Sequence, residues 1–149
     1  MPGPPQRTHA FSSSYPASDG SIAHARREVT EWLRGQIDGG QIDDRGELID
    51  ELAVVVSELV TNAVRATQHP NATVEVAVHI DGHAVLLEVC NPSATWVDVD
   101  RRWDLDDPLR LGGRGLLIVR SLVDDVTVDV DPRSVTTTVR CRREMGQRA

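Results

Sequence analysis

Lysine is missing from this sequence: all sixteen of its basic residues are arginine. Without lysine there is no Schiff-base amine and no Walker A lysine, which excludes two large enzyme classes. Aromatic residues are scarce as well, at 3% against 40% hydrophobic residues overall, so a core must be built from Val, Leu, Ile and Ala. Only two cysteines occur, Cys90 and Cys141, far apart and without metal-ligand spacing; a reduced pair is expected rather than a disulfide. Positive charge is in deficit. A formal net charge of −7 argues against nucleic acid as a direct partner, because phosphate binding needs a basic face. No run approaches the roughly 18 to 20 apolar residues of a membrane span, so no membrane partner is expected either. The opening stretch MPGPPQRTHAF lacks the apolar segment of a secretory signal, which makes a cytoplasmic location the expectation. On that reading the Asn71-Ala-Thr73 sequon is chance.

What is present suits one domain: 149 residues can bury a single core of ordinary size. Residues 1–18 carry four Pro and four Ser, and read as a flexible tail in which Thr8-His-Ala-Phe11-Ser can supply an edge strand. The domain proper is expected over 19–143, with a short tail over 144–149. Ser18 or Asp19 offers a helix cap, and Ile22, Arg26, Val29, Leu33 and Ile37 recur at helical spacing, predicting a helix over 19–36 that stops at Asp38-Gly39-Gly40. A second helix is predicted over 47–67, with Leu48, Leu52, Val55, Leu59, Ala63 and Ala66 on one stripe, ended by His69-Pro70-Asn71. The period then changes to two. Val74, Val76, Val78 and Ile80 alternate, Asp81-Gly82 turns the chain, and Ala84 to Val89 returns as the partner strand. Pro92 to Gly113 has no clean period and holds Trp96, Trp103 and five aspartates, Asp98, Asp100, Asp104, Asp106 and Asp107. Loops of that length in small domains are often lids. A short helix over 115–123 and a closing hairpin around Asp131-Pro132 complete an α+β sandwich, with helices on one face of a mixed, mostly antiparallel sheet.

Three segments could carry chemistry. Glu58 and Asn62 lie one turn apart on the second helix, so both project from one face among Leu59, Val60, Ala63 and Val64, where full exposure is not expected. An Asn oxygen suits Mg²⁺, and a glutamate can take a proton or orient a water. The second segment, Val89-Cys90-Asn91-Pro92-Ser93, closes the first hairpin. In the third, Leu111-Gly112-Gly113-Arg114-Gly115-Leu116, glycines open a helix. They admit a close ligand, the free N–H groups and helix dipole favour an anion, and Arg114 adds a positive fork.

Taken in order, Glu-x-x-x-Asn-Ala on a helix, a strand ending in an Asp-like residue, a variable lid and a glycine-opened helix resemble the Bergerat fold, the histidine-kinase-like ATP-binding fold. ELVTNAVR, NPS and GGRGLLIV are similar to its stand-alone branch, the bacterial anti-sigma factor serine kinases, over about residues 8–143. The resemblance implies that Glu58 polarises the attacking hydroxyl or water and that Asn62 coordinates a Mg²⁺ bridging the phosphates of ATP. It gives Gly112, Gly113, Arg114 and Gly115 the phosphates. The adenine falls to Asn91, where the family usually has Asp, with Thr138 as its helper on the last strand. Replacing a carboxylate by an amide trades a charge-assisted bond for a neutral one, an expected loss of about 1–2 kcal/mol, or roughly ten- to thirtyfold in affinity. Ala66 stands where close relatives often carry His. The implied function is an ATP-dependent serine/threonine kinase that phosphorylates an anti-anti-sigma (STAS-type) protein and otherwise holds a sigma factor. Relatives often dimerise, and a homodimer could use the first helix or a strand edge. The alternative is a binding module that keeps the fold and holds its partner with weak ATP binding and no catalysis.

Overall fold

A computed structural model describes residues 10–40, 47–67, 71–92 and 113–145. The elements follow the sequence pattern: β1 Ala10–Pro16, α1 Gly20–Asp38, α2 Leu48–Ala66, β2 Thr73–Asp81, β3 Ala84–Pro92, α3 Gly113–Leu122, β4 Asp125–Asp131 and β5 Thr136–Glu144. The strands form one sheet in the order β1-β2-β3-β5-β4, and every described pairing is antiparallel rather than mixed. The edge strand that the sequence allows is longer than Thr8 to Ser12 implies. β1 runs to Pro16 and pairs with β2 residue for residue, from Ala10 opposite His79 to Pro16 opposite Thr73. Phe11 and Tyr15 explain this, because they fall on the same face as Val78 and Val74 and bring the aromatic side chains to the core.

One face of the sheet is covered. Tyr15, Val74, Val76, Val78, Val85, Leu87, Val89 and Cys141 are buried on it, and the alternate positions Glu75, Arg140, Arg142, Asp125 and Asp129 are exposed on the other. The helical layer supplies Ala25, Val29 and Leu33 from α1, Leu116 and Val119 from α3, and eight residues from α2. α2 is therefore the central helix. Burial of each such Val or Leu contributes about 1.5–3 kcal/mol, and Val54, the one member of its valine run that faces away, is exposed.

Local chemistry departs from the sequence reading at the start of α1. Asp19 stands at the cap position but its side chain makes no capping bond; Ser21 N–H donates to the Ser18 carbonyl instead, at 3.1 Å. The first hairpin turns through Gly82 at φ +57°, a conformation that glycine adopts without strain. The second turns through Val135 at φ +53°, where a β-branched side chain is strained. Both cysteines are free thiols; burial pushes the Cys141 thiol up to about 12.

Two contacts give the sandwich two distinguishable ends. Arg143 sits opposite Val85 near the start of β3, and its guanidinium reaches Glu51 near the start of α2 at 2.7 Å. α2 and β3 therefore begin together. Their far ends, with Glu58 and Asn62 on α2 and Asn91 on β3, lie at the opposite end of the sandwich.

Candidate functional site

Polar side chains on the inner half of a buried helix must find partners, and those of α2 divide into two kinds. Ser57 and Thr61 fold back on their own helix, donating to the carbonyls of Ala53 at 2.9 Å and Ser57 at 2.6 Å. Asn62 has no such solution. Among the described residues its buried Nδ2 meets no hydrogen-bond partner, and no cation meets the partly exposed Glu58. Leaving a buried amide donor unmet costs about 1–3 kcal/mol, so the presence of Asn62 requires a reason other than packing.

The neighbour of this pair is α3. A Cβ placed on Gly115 would lie 2.5 Å from Glu58 Oε2 and 3.6 Å from Asn62 Nδ2. Glycine lets the first turn of α3 approach this closely without displacing the carboxylate, and the approach brings the helix start to the carboxylate and amide of α2. This juxtaposition of residues 58, 62 and 115 joins two of the segments singled out from the sequence. Gly113 and Arg114 open the same helix. Gly112 and the acidic segment with Asp98, Asp100, Asp104, Asp106, Asp107, Trp96 and Trp103 lie outside the described residues.

Asn91 is on the covered face of β3, in the same alternation as Leu87 and Val89, and is 4% exposed with its Nδ2 unpartnered. The β3–β5 register places Thr137 opposite Asn91 and Thr138 opposite Cys90. One residue along a strand reverses the face, so Thr138 points to the uncovered side and Thr137 is the hydroxyl beside Asn91. Three consecutive threonines, 136–138, offer no alternation from which the sequence could have made this choice. Ala66, one turn beyond Asn62, is partly buried and leaves that position of the helix without a polar group.

The residues present fit a nucleotide with a divalent cation. Gly115 makes a backbone cradle that a side chain would fill, Asn62 carries a hard oxygen beside a buried Nδ2 that meets no described partner, and the helix start favours anions. Among the described residues no three His, Cys, Asp or Glu side chains group as a metal site. A Mg²⁺ here would accordingly take one protein oxygen and complete its shell with phosphates and water.

Comparison with known proteins agrees with this geometry. The histidine kinase-like ATPase domain family matches residues 15–142, and the chain belongs to that family. ATP is the ligand that membership implies. Among curated proteins, the chain is 27% identical over 113 residues to the anti-sigma F factor of Bacillus velezensis, covering 72% of this chain and 77% of that one. It is 26% identical, at the same coverage, to the anti-sigma F factor of Bacillus subtilis. Among solved structures, the mycobacterial sensor histidine kinase MprB superposes with a TM-score of 0.56 at 18% identity, over 89% of this chain and 100% of that one. The catalytic domain of the histidine kinase ThkA gives a TM-score of 0.54 at 18% identity, over 91% and 97% of the two chains. These structures establish the fold as the Bergerat fold. No described helix is long and apolar enough to cross a membrane.

Proposed function

We propose that this protein is an ATP-dependent serine/threonine kinase of the anti-sigma type, which phosphorylates an anti-anti-sigma partner and in its other state holds a sigma factor. The observation that carries the reading is the closure of Gly115 on Glu58 and Asn62, which brings a carboxylate, a side-chain amide and a helix start together. The names of the two Bacillus relatives support the regulatory context. In this reading Gly115 and the start of α3 hold the phosphates, and Asn62 offers its oxygen to Mg²⁺, which when bound neutralises phosphate charge. Glu58 accepts the proton of the attacking serine or threonine hydroxyl. Its position one turn from Asn62 keeps base and cation ligand on the same face of α2.

The test is phosphate transfer from Mg·ATP to the anti-anti-sigma protein that co-purifies with the chain. Glu58→Ala is expected to lower transfer by about 10²–10⁴-fold while largely sparing nucleotide affinity. Unchanged transfer by Glu58→Ala would remove that residue from the chemistry.

A second reading rests on Asn91: with a neutral amide where a carboxylate is usual, the fold serves as a binding module whose partner is held without catalysis. Titration with Mg·ADP separates the two. Micromolar binding favours the kinase, and absence of binding at millimolar nucleotide favours the module.

A further inference from the structure

Asn91 carries a consequence of its own, one that rests on the nucleotide reading of this site. Its side chain is 4% exposed, on the helix-covered face, beside Thr137 and at the same end of the sandwich as Asn62 and Gly115. Its Nδ2 meets no partner among the described residues, which is costly for a buried amide unless a ligand completes the bond. The carboxylate of Glu58 and the glycine start of α3 serve the charged part of a nucleotide. The uncharged amide on the sheet is left for the base.

The hydrogen-bonding edge of a purine comes in two forms. A 6-amino purine donates from its amino group and accepts at N1; a 6-oxo purine accepts at O6 and donates from N1–H. A carboxylate only accepts, so where it faces position 6 it takes the amino hydrogen of the first and is repelled by O6 of the second. An amide holds a donor and an acceptor side by side, and a half-turn of its terminal group exchanges them. We propose that Asn91 makes the base subsite indifferent between 6-amino and 6-oxo purine nucleotides. Thr137 does not restore the preference, because a hydroxyl also donates or accepts as required.

The experiment is calorimetric titration of the full chain with the Mg²⁺ complexes of adenosine diphosphate and inosine diphosphate, which differ only at this edge. The expected dissociation constants lie within about threefold of one another, and Asn91→Asp is expected to favour adenosine diphosphate by about tenfold or more. A wild-type preference for adenosine diphosphate above about tenfold overturns the proposal while leaving the nucleotide site standing. Failure of both ligands to bind at millimolar concentration overturns the site and the proposal together. If Asn91→Asp, shown folded by its thermal transition, still binds both equally, Asn91 does not read the base. The wild-type comparison decides the matter even if that variant fails to fold.

Discussion

Glu51 and Glu58 stand two turns apart on one face of α2, and their surroundings differ in one respect. Arg143 reaches Glu51 at 2.7 Å, with the two side chains 13% and 26% exposed, whereas Glu58 faces the backbone of Gly115. The first end of the sandwich neutralises its carboxylate with a cation from β5. At the second, two buried amide nitrogens, of Asn62 and Asn91, meet no partner among the described residues, and Val135 takes a positive φ. A protein that can build the first arrangement has no stability reason to build the second. Two buried amides without partners beside a partly exposed carboxylate that no described cation meets mark the place where a ligand is expected to supply what is missing.

The comparison can be broken by reversing the roles of the two ends. Arg143→Ala leaves Glu51 unpaired in a partly buried place, and is expected to cost about 2–3 kcal/mol in urea unfolding, below the full cost of a fully buried pair. Glu58→Gln is expected to move stability by less than about 0.5 kcal/mol, since it removes no partner. Equal losses at the two positions would show that Glu58 is also structural. Gly115→Ala sharpens the contrast in function. Its Cβ would meet Glu58 Oε2, the far end of a flexible side chain, so the carboxylate moves and the backbone need not. Unfolding should change by less than about 1 kcal/mol while phosphate transfer falls by about 10–100-fold. A wild-type rate in Gly115→Ala would mean that the close approach has no catalytic use. A gain rather than a loss is expected at Val135, at the Asn91 end, where β5 begins opposite Pro92. Val135→Gly should raise stability by about 1 kcal/mol by relieving the positive φ, and a loss of stability would show that no strain was stored there.

Much of this was legible in the residues. The apolar stripes of α1 and α2 and the alternation of β2 and β3 name their elements, since long periodic segments have few competing solutions. Glu58, Asn62 and the glycine segment were legible as polar or flexible intrusions into apolar pattern, and the structure brings residues 58, 62 and 115 together. What the residues alone do not encode is non-local. Thr137 differs from Thr138 only through pairing with β3, which a run of identical residues does not encode. The Glu51–Arg143 pair joins residues more than ninety positions apart in sequence, and nothing local to either predicts it. β1 is written in Ala, Phe, Ser, Tyr and Pro, so only Phe11 and Tyr15 betray its inward face. Asn91 was legible as a departure from a family pattern, but not as a buried amide with an unmet donor.

The central claim is that the uncompensated end of α2 is a nucleotide site in which Glu58 acts on the reaction rather than on binding. Titration of Mg·ADP into the wild type and into Glu58→Ala tests it most directly. The account predicts micromolar binding by both, with affinities within about threefold, because removing the carboxylate takes away the base and leaves Asn62 and the α3 start in place. Failure of the wild type to bind at millimolar nucleotide, with the chain folded, would contradict it.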